Sequence, residues 1–172
     1  MQPIKSFNDL TSHLSESKTR KRMAVANAVD SHTLEAVLMA VNAGIIEAYL
    51  IGDVAAIETY LLEQPNISSH IHIIDKPDAQ QAALEAVRMV KQGECDILMK
   101  GLVNTDVILR AILDKEKGLL PKGNVLTYNA ALEIPTYHKL IFFSDPAVIP
   151  YPTLEQRVAM IKYAINTSKK FG

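Results

Sequence analysis

Four times between residues 22 and 113, a short apolar run rich in Val, Ile and Leu is followed by a stretch of helical period. That alternation is the pattern of βα units around a mostly parallel sheet, and it constrains the fold more than any other feature. "RMAVANA" (22–28) reads as the first strand. Asp30 or Ser31 can cap the helix "TLEAVLMAVNA", whose Leu34, Val37, Leu38 and Val41 recur at helical spacing and which Gly44 ends as the C′ residue. "IIEAYLIG" (45–52) is a second strand, followed by the helix "VAAIETYLLEQ" and a stop at Pro65. "HIHIID" (70–75) is a third, followed by the helix "DAQQAALEAVRMVKQ", which ends at Gly93. "CDILMKG" (95–101) is a fourth, with Asn104 as N-cap for "DVILRAIL".

The remainder is less regular. "DKEKGLLPKG" (114–123) carries Gly and Pro between charges and reads as a loop. "NVLTYNAALEI" (124–134) and "HKLIFFSD" (138–145) read as two further strands. Thr153 and Gln156 form a T-x-x-Q capping box opening the helix "LEQRVAMIKYAINTSKK". That helix has an apolar stripe through Val158, Ile161 and Ala164 or Ile165, yet no strand follows for it to cross over to. The chain reads as part of a larger architecture.

Composition narrows the partners. At 172 residues the chain can bury one sizeable core, and one domain is the default. With 18 Lys+Arg against 19 Asp+Glu the net charge is −1, and no basic face is visible to neutralise a nucleic-acid backbone. The lone cysteine, Cys95, cannot form an intramolecular disulfide and points to a reducing cytoplasm. The first residues, "MQPIKSFNDLTSHL", contain no apolar run of signal-peptide length, and none elsewhere reaches the roughly 20 residues of a membrane span.

Ligands of open parallel sheets bind at the carboxyl ends of the strands, so Asn27 to Asp30, Gly52 with Asp53, Lys100 with Gly101, and Ser144 with Asp145 are the positions to weigh. Lys100 brings a cation, Gly101 a backbone N–H and the helix opening near Asn104 its positive dipole end, and Thr105 can donate a hydroxyl. Arg110 lies too far along that helix to share the turn. Two readings stand side by side: a cradle for an anion, or an ordinary strand-to-helix turn with a snorkelling lysine, a turning glycine and a capping asparagine. His70 and His72 share a strand face without a further ligand at metal spacing, and read as a surface pair. No base accompanies Cys95, which reads as a packed thiol.

Taken in order, "DILMKGLVNTDVILRAIL", "GNVLTYNAALEIPTYHKLIFFSDPAV" and "PTLEQRVAMI" resemble the phosphate acetyl/butyryl transferase family, in particular its phosphate butyryltransferase branch. The most specific elements are the L-M-K-G run with its following Thr, the K-x-x-x-F-S-D strand end and the L-E-Q-R helix. The resemblance implies an isopropylmalate-dehydrogenase-like, Rossmann-like three-layer α/β fold, with helices on both faces of the sheet and the active site in a cleft between two domains. It implies exchange of the CoA of a short-chain acyl-CoA for inorganic phosphate, with acyl-CoA and phosphate as partners and with neither metal nor other cofactor. By position it carries substrate and phosphate binding to Lys100, Gly101, Asn104, Thr105, Arg110, Thr127, Ser144 and Asp145. Residues 1–150 then line the cleft, and 151–172 lead toward a second domain absent from this chain.

Two departures from the family pattern matter. Ile149 stands where the family carries Asn, which affects cleft polarity or acyl preference. The family's Ser-Arg and general-base Asp motifs lie beyond Gly172, so the chain alone is expected to be weak or inactive. A non-catalytic domain that binds acyl-CoA or phosphate, or that assembles with a partner, is the alternative. A glycine-fingerprint dinucleotide site is disfavoured by "ANAVDS" after the first strand. Uncovered apolar surface predicts self-association, as a dimer.

Overall fold

β1 (Lys21–Ala26) lies between two parallel neighbours, β2 (Ile46–Gly52) on one side and β4 (Ile97–Lys100) on the other, in a computed structural model that describes residues 3–17, 19–65 and 68–172. β3 (Ile71–Asp75) adds to the far side of β2, giving the order β3-β2-β1-β4, all parallel. Val25 pairs with Leu50 on one flank and Met99 on the other, so β1 runs through the centre of the sheet.

Strand alternation sends successive side chains to opposite faces. Val25, Ala48 and Leu50 join the buried cluster under α2 (Ser31–Asn42) and α3 (Val54–Leu62), which contribute Leu34, Val37, Val41 and Ile57. Ala24, Ala26 and Ile51 join the cluster under α4 (Ala79–Lys91) and α5 (Thr105–Leu113). There α4 presents Ala82, Ala83 and Ala86, all fully buried, to the small residues of β1, which lets helix and strand approach closely. Truncating a filled position such as Leu34 or Ile57 to Ala carries the cavity cost of about 2–5 kcal/mol. Helices therefore cover both faces of a parallel sheet, the three-layer α/β class expected.

The helix ends follow local chemistry. Asp30, Asp53 and Asp78 each accept from the backbone N–H three residues on, at 2.9, 2.9 and 2.8 Å, closing the first turns of α2, α3 and α4. Gly44 and Gly93 follow the C-caps of α2 and α4 at φ of 79° and 76°.

By internal contacts the chain divides into two compact units, residues 15–120 and residues 1–14 with 121–172. The second unit holds α1 (Phe7–Ser15) as far as Leu14, the hairpin strands β5 (Asn129–Leu132) and β6 (Ile141–Ser144), α6 (Leu154–Ser168) and a 3₁₀ turn at Lys169–Phe171. The two late strands are shorter than expected and pair antiparallel in a sheet of their own, because Pro135 and the turn after it bring the chain straight back. α1 was not anticipated. Its apolar residues are sparse, but the S-x-x-D of Ser6 and Asp9 closes a reciprocal capping box, with Asp9 N–H donating to Ser6 Oγ and Ser6 N–H to Asp9 Oδ2, both at 3.0 Å. Both halves of the box at Thr153 and Gln156 are formed as read.

Candidate functional site

From β1 the chain winds outward through β2 and β3, then returns to the other side of β1 as β4, so the topological switch lies between β1 and β4. Asn27 follows one strand and Gly101 the other. Gly101 N–H donates to Ala26 O at 2.9 Å, Leu102 N–H donates to Asn27 O at 3.0 Å, and the Asn27 side-chain amide donates to Leu102 O. Asn27 is buried and holds a φ of 55°, a left-handed backbone that Asn tolerates better than most residues. A side chain on Gly101 would meet Asn27 O at 2.6 Å and Ala26 O at 2.8 Å. Gly101 is therefore required by backbone approach, and its N–H is committed to β1 instead of facing a ligand.

The groups beside it are free. Lys100, Asn104 and Thr105 are exposed, and among the described residues none has a side-chain hydrogen-bond or ion-pair partner. Asn104 occupies the N-cap of α5 with extended backbone, yet its side chain makes no cap bond. An exposed amide and hydroxyl thus stand at the N-cap and first residue of the nine-residue α5, and an exposed cation at the end of β4, with no side-chain partner among the described residues. Nearby on β1's side, Asp30 Oδ1 caps Thr33 while Oδ2 is buried without a partner. Burial pushes the Asp30 carboxyl up, and the Thr33 hydrogen bonds outweigh it and hold the group below the usual carboxylate range.

Arg110 is placed elsewhere. It pairs with Asp106 one turn back at 2.9 Å, is highly exposed, and lines a groove of about 800 Å³ between α4 and α5 with Lys76, Gln81, Leu84 and Lys91. It does not share the turn of Lys100.

In the other unit the structure gathers Thr127, Ser144 and Asp145. Thr127 Oγ1 donates to Asp145 Oδ2 at 2.8 Å, and Asp145 Oδ1 accepts from the N–H groups of Val148 at 2.6 Å and Ile149 at 3.0 Å. The Asp145 N–H donates to Tyr128 O at 2.6 Å, and its φ is 47°. Desolvation raises this carboxyl, but the hydrogen bonds from Ile149, Thr127, Val148 and Ala147 prevail and lower it below its ordinary value. Ile149 therefore anchors Asp145 through its backbone whatever its side chain. Ser144 pairs in register with Asn129, and both Ser144 Oγ and Asn129 Oδ1 are buried without a partner. Asn129 and Asn27 acquire their importance from strand pairing, which residue type does not reveal.

The other candidates resolve differently. His72 Nε2 lies 2.6 Å from Glu47 Oε1 on the neighbouring strand, and its ring stacks on Tyr49 at 4.6 Å. Among the described residues no three His, Cys, Asp or Glu side chains converge to hold a metal, and no helix is long and apolar enough to cross a membrane. Cys95 is buried, and burial pushes its thiol up to about 11.

An open parallel sheet covered on both faces by helices defines a Rossmann-like three-layer α/β protein. Residues 76–172 match the family described as phosphate acetyl/butaryl transferase, and the chain belongs to that family. It is 36% identical over 169 residues to a phosphate butyryltransferase of Clostridium acetobutylicum, covering 98% of this chain and 56% of that one. It is 38% identical to a phosphate butyryltransferase of Clostridium beijerinckii, covering 98% and 55%. Its fold superposes on the crystal structure of a branched-chain phosphotransacylase from Enterococcus faecalis V583 with a TM-score of 0.71 at 22% identity, over 88% of this chain and 52% of that one. The chain spans about half the length of the curated relatives it matches.

Proposed function

We propose that this chain is the N-terminal part of an acyltransferase that exchanges the CoA of a short-chain acyl-CoA, butyryl-CoA in the first instance, for inorganic phosphate. The observation that carries the reading is the identity of 36–38% to phosphate butyryltransferases over nearly the whole chain. In the reaction a phosphate oxygen adds to the thioester carbonyl, the C–S bond breaks, and the CoA sulfur takes a proton as it leaves. Lys100, Asn104, Thr105 and the first turn of α5 are the groups to hold the phosphate and the developing oxyanion, since they are the unpaired ones.

Asp145, whose carboxyl accepts from Thr127, Val148 and Ile149 and is lowered below its ordinary value, is a poor base, and it is assigned a positioning role through Thr127 and the 145–149 turn. The general base belongs to the part of the relatives' length that this chain does not match. Neither a metal nor a further cofactor enters the scheme, and the location is the cytoplasm. The half-length match favours a second reading, a domain that binds acyl-CoA or phosphate and turns over only when completed.

Thiol release from butyryl-CoA, with and without phosphate and beside acetyl-CoA, tests the proposal. Phosphate-dependent release by the 172-residue chain at an ordinary enzymatic rate overturns the expectation that it is weak alone. Absence of release, with acyl-CoA binding still seen by calorimetry, supports a half-site; absence of both sinks the acyltransferase reading.

A further inference from the structure

Between the end of β4 and the N-cap of α5 stand Gly101, Leu102 and Val103, and the fold accounts for the first and the last. Gly101 is required by the approach of β1, and Val103 is buried in the core under α4 and α5. The Leu102 side chain is 59% exposed and lies outside both core clusters. A single exposed leucine is ordinary on a protein surface, so exposure alone decides nothing. What sets Leu102 apart is a backbone held on both sides: its N–H donates to Asn27 O at 3.0 Å, and its C=O accepts from the Asn27 side-chain amide. Val103 N–H, donating to Gly101 O at 2.9 Å, tightens the turn around it. With both backbone groups committed to the end of β1, the side chain is what Leu102 offers to a ligand at the switch point.

Its neighbours in the chain indicate which part of a ligand it meets. Lys100 precedes it, and Asn104 and Thr105 follow it, the groups assigned above to the phosphate and the developing oxyanion. In an acyl-CoA the carbon under attack carries the carbonyl oxygen, the CoA sulfur and the acyl chain, so the oxyanion and the first methylene of the chain hang on the same carbon. The CoA arm is lined with amides, whereas the chain is wholly apolar and suits an apolar wall beside a few fixed polar groups. We propose that Leu102 is a specificity-determining residue, packing against the acyl chain and favouring butyryl over acetyl, with Asn27 as the residue that positions it. The inference rests on the reading above of this chain as part of an acyltransferase.

Calorimetry on the 172-residue chain with butyryl-CoA and with acetyl-CoA tests it in the wild type, Leu102→Ala, Leu102→Met and, as control, Leu113→Ala, an exposed leucine at the far end of α5. A methylene in a closed apolar pocket shifts discrimination by about 10–200-fold, and one side chain at an open crevice supplies part of that. Leu102→Ala is therefore expected to lower the ratio of butyryl-CoA to acetyl-CoA affinity by at least about threefold, through weaker butyryl-CoA binding at nearly constant acetyl-CoA binding. Leu102→Met, similar in volume and apolar, and Leu113→Ala are expected to keep the ratio within about twofold of wild type. Equal loss for both thioesters in Leu102→Ala, an unchanged ratio, or an equal fall in Leu113→Ala overturns the inference and leaves the acyltransferase reading standing. So does a wild-type chain that binds both thioesters alike. A wild-type chain that binds neither sinks that reading, and this inference with it.

Discussion

Gly101 and Asn27 lock the ends of β4 and β1 together: the glycine's missing side chain leaves room for the Asn27 carbonyl oxygen, 2.6 Å from where a Cβ would stand. Neither backbone segment can retreat, since Gly101 N–H is bonded to Ala26 O and Leu102 N–H to Asn27 O. Gly101→Ala is therefore expected to destabilise the fold by about 1–3 kcal/mol, as overpacking against backbone does. Urea unfolding measures it; a loss below about 0.5 kcal/mol, within the range of ordinary surface changes, refutes the lock.

Asn27 serves the same junction in two ways, through a left-handed φ and a side-chain bond to Leu102 O. Asn27→Gly keeps the first and loses the second, whereas Asn27→Ala loses both. The expected order of stability is wild type, then Gly, then Ala, with Ala about 2 kcal/mol below wild type. A Gly variant no more stable than Ala contradicts the assignment of strain.

At the mouth of α5, stability and binding come apart. Because the Asn104 side chain caps nothing, Asn104→Ala is expected to change stability by less than about 0.5 kcal/mol, against about 1 kcal/mol for Asp30→Ala, whose carboxylate does cap. The same Asn104→Ala change should weaken acyl-CoA or phosphate binding about tenfold, equivalent to ~1.4 kcal/mol. Calorimetry beside urea unfolding decides; lost stability with unchanged binding returns Asn104 to a plain capping role.

Asp145 predicts an acid-sensitive hairpin. Its carboxyl is lowered in the folded state, so its stabilising contribution is fully present above the unfolded chain's ordinary value near 3.8 and is lost as pH falls through the lower folded value. Thr127→Val removes one of the bonds that lower it and should move its titration upward. Side-chain carboxyl NMR follows this directly, and an unmoved titration shows that the turn amides alone hold the group.

Cys95 should be silent. Burial raises its thiol to about 11, so the native chain is expected to react with a disulfide reagent at pH 8 far more slowly than the urea-unfolded chain. The linked stabilisation is present below the free thiol's 9.0 and is lost as pH rises toward 11. Equal native and unfolded rates mean that the strand end opens.

The four βα units were legible in the sequence because each rested on local signals, apolar period, the Asp30 cap and the glycines that end α2 and α4, whereas the caps at Asp53 and Asp78 were not read and the Asn104 side chain caps nothing. What was not legible depends on pairing. Nothing in "ANAVDS" marks Asn27 as the buried partner of Leu102, and nothing in "NAALEI" says that Asn129 will face Ser144. The late strands were read from their apolar runs, which do not give their direction, and the tight return after Ile134 makes them an antiparallel hairpin. Lys100, Asn104 and Thr105 were singled out from their place at a strand end, whereas Arg110 was added by resemblance and stands in the α4–α5 groove.

The strand order also sets when the crevice can exist. β1 can zip to β2 early, since Lys21 meets Ile46, but its other edge waits for Asp96, 74 residues along the chain from Arg22. Closing so long a loop is the slow, entropically costly contact of this topology. The junction of Asn27 with Gly101 and Leu102 forms only in that step, so a nascent or fraying chain loses the switch-point crevice first and keeps most of its helices.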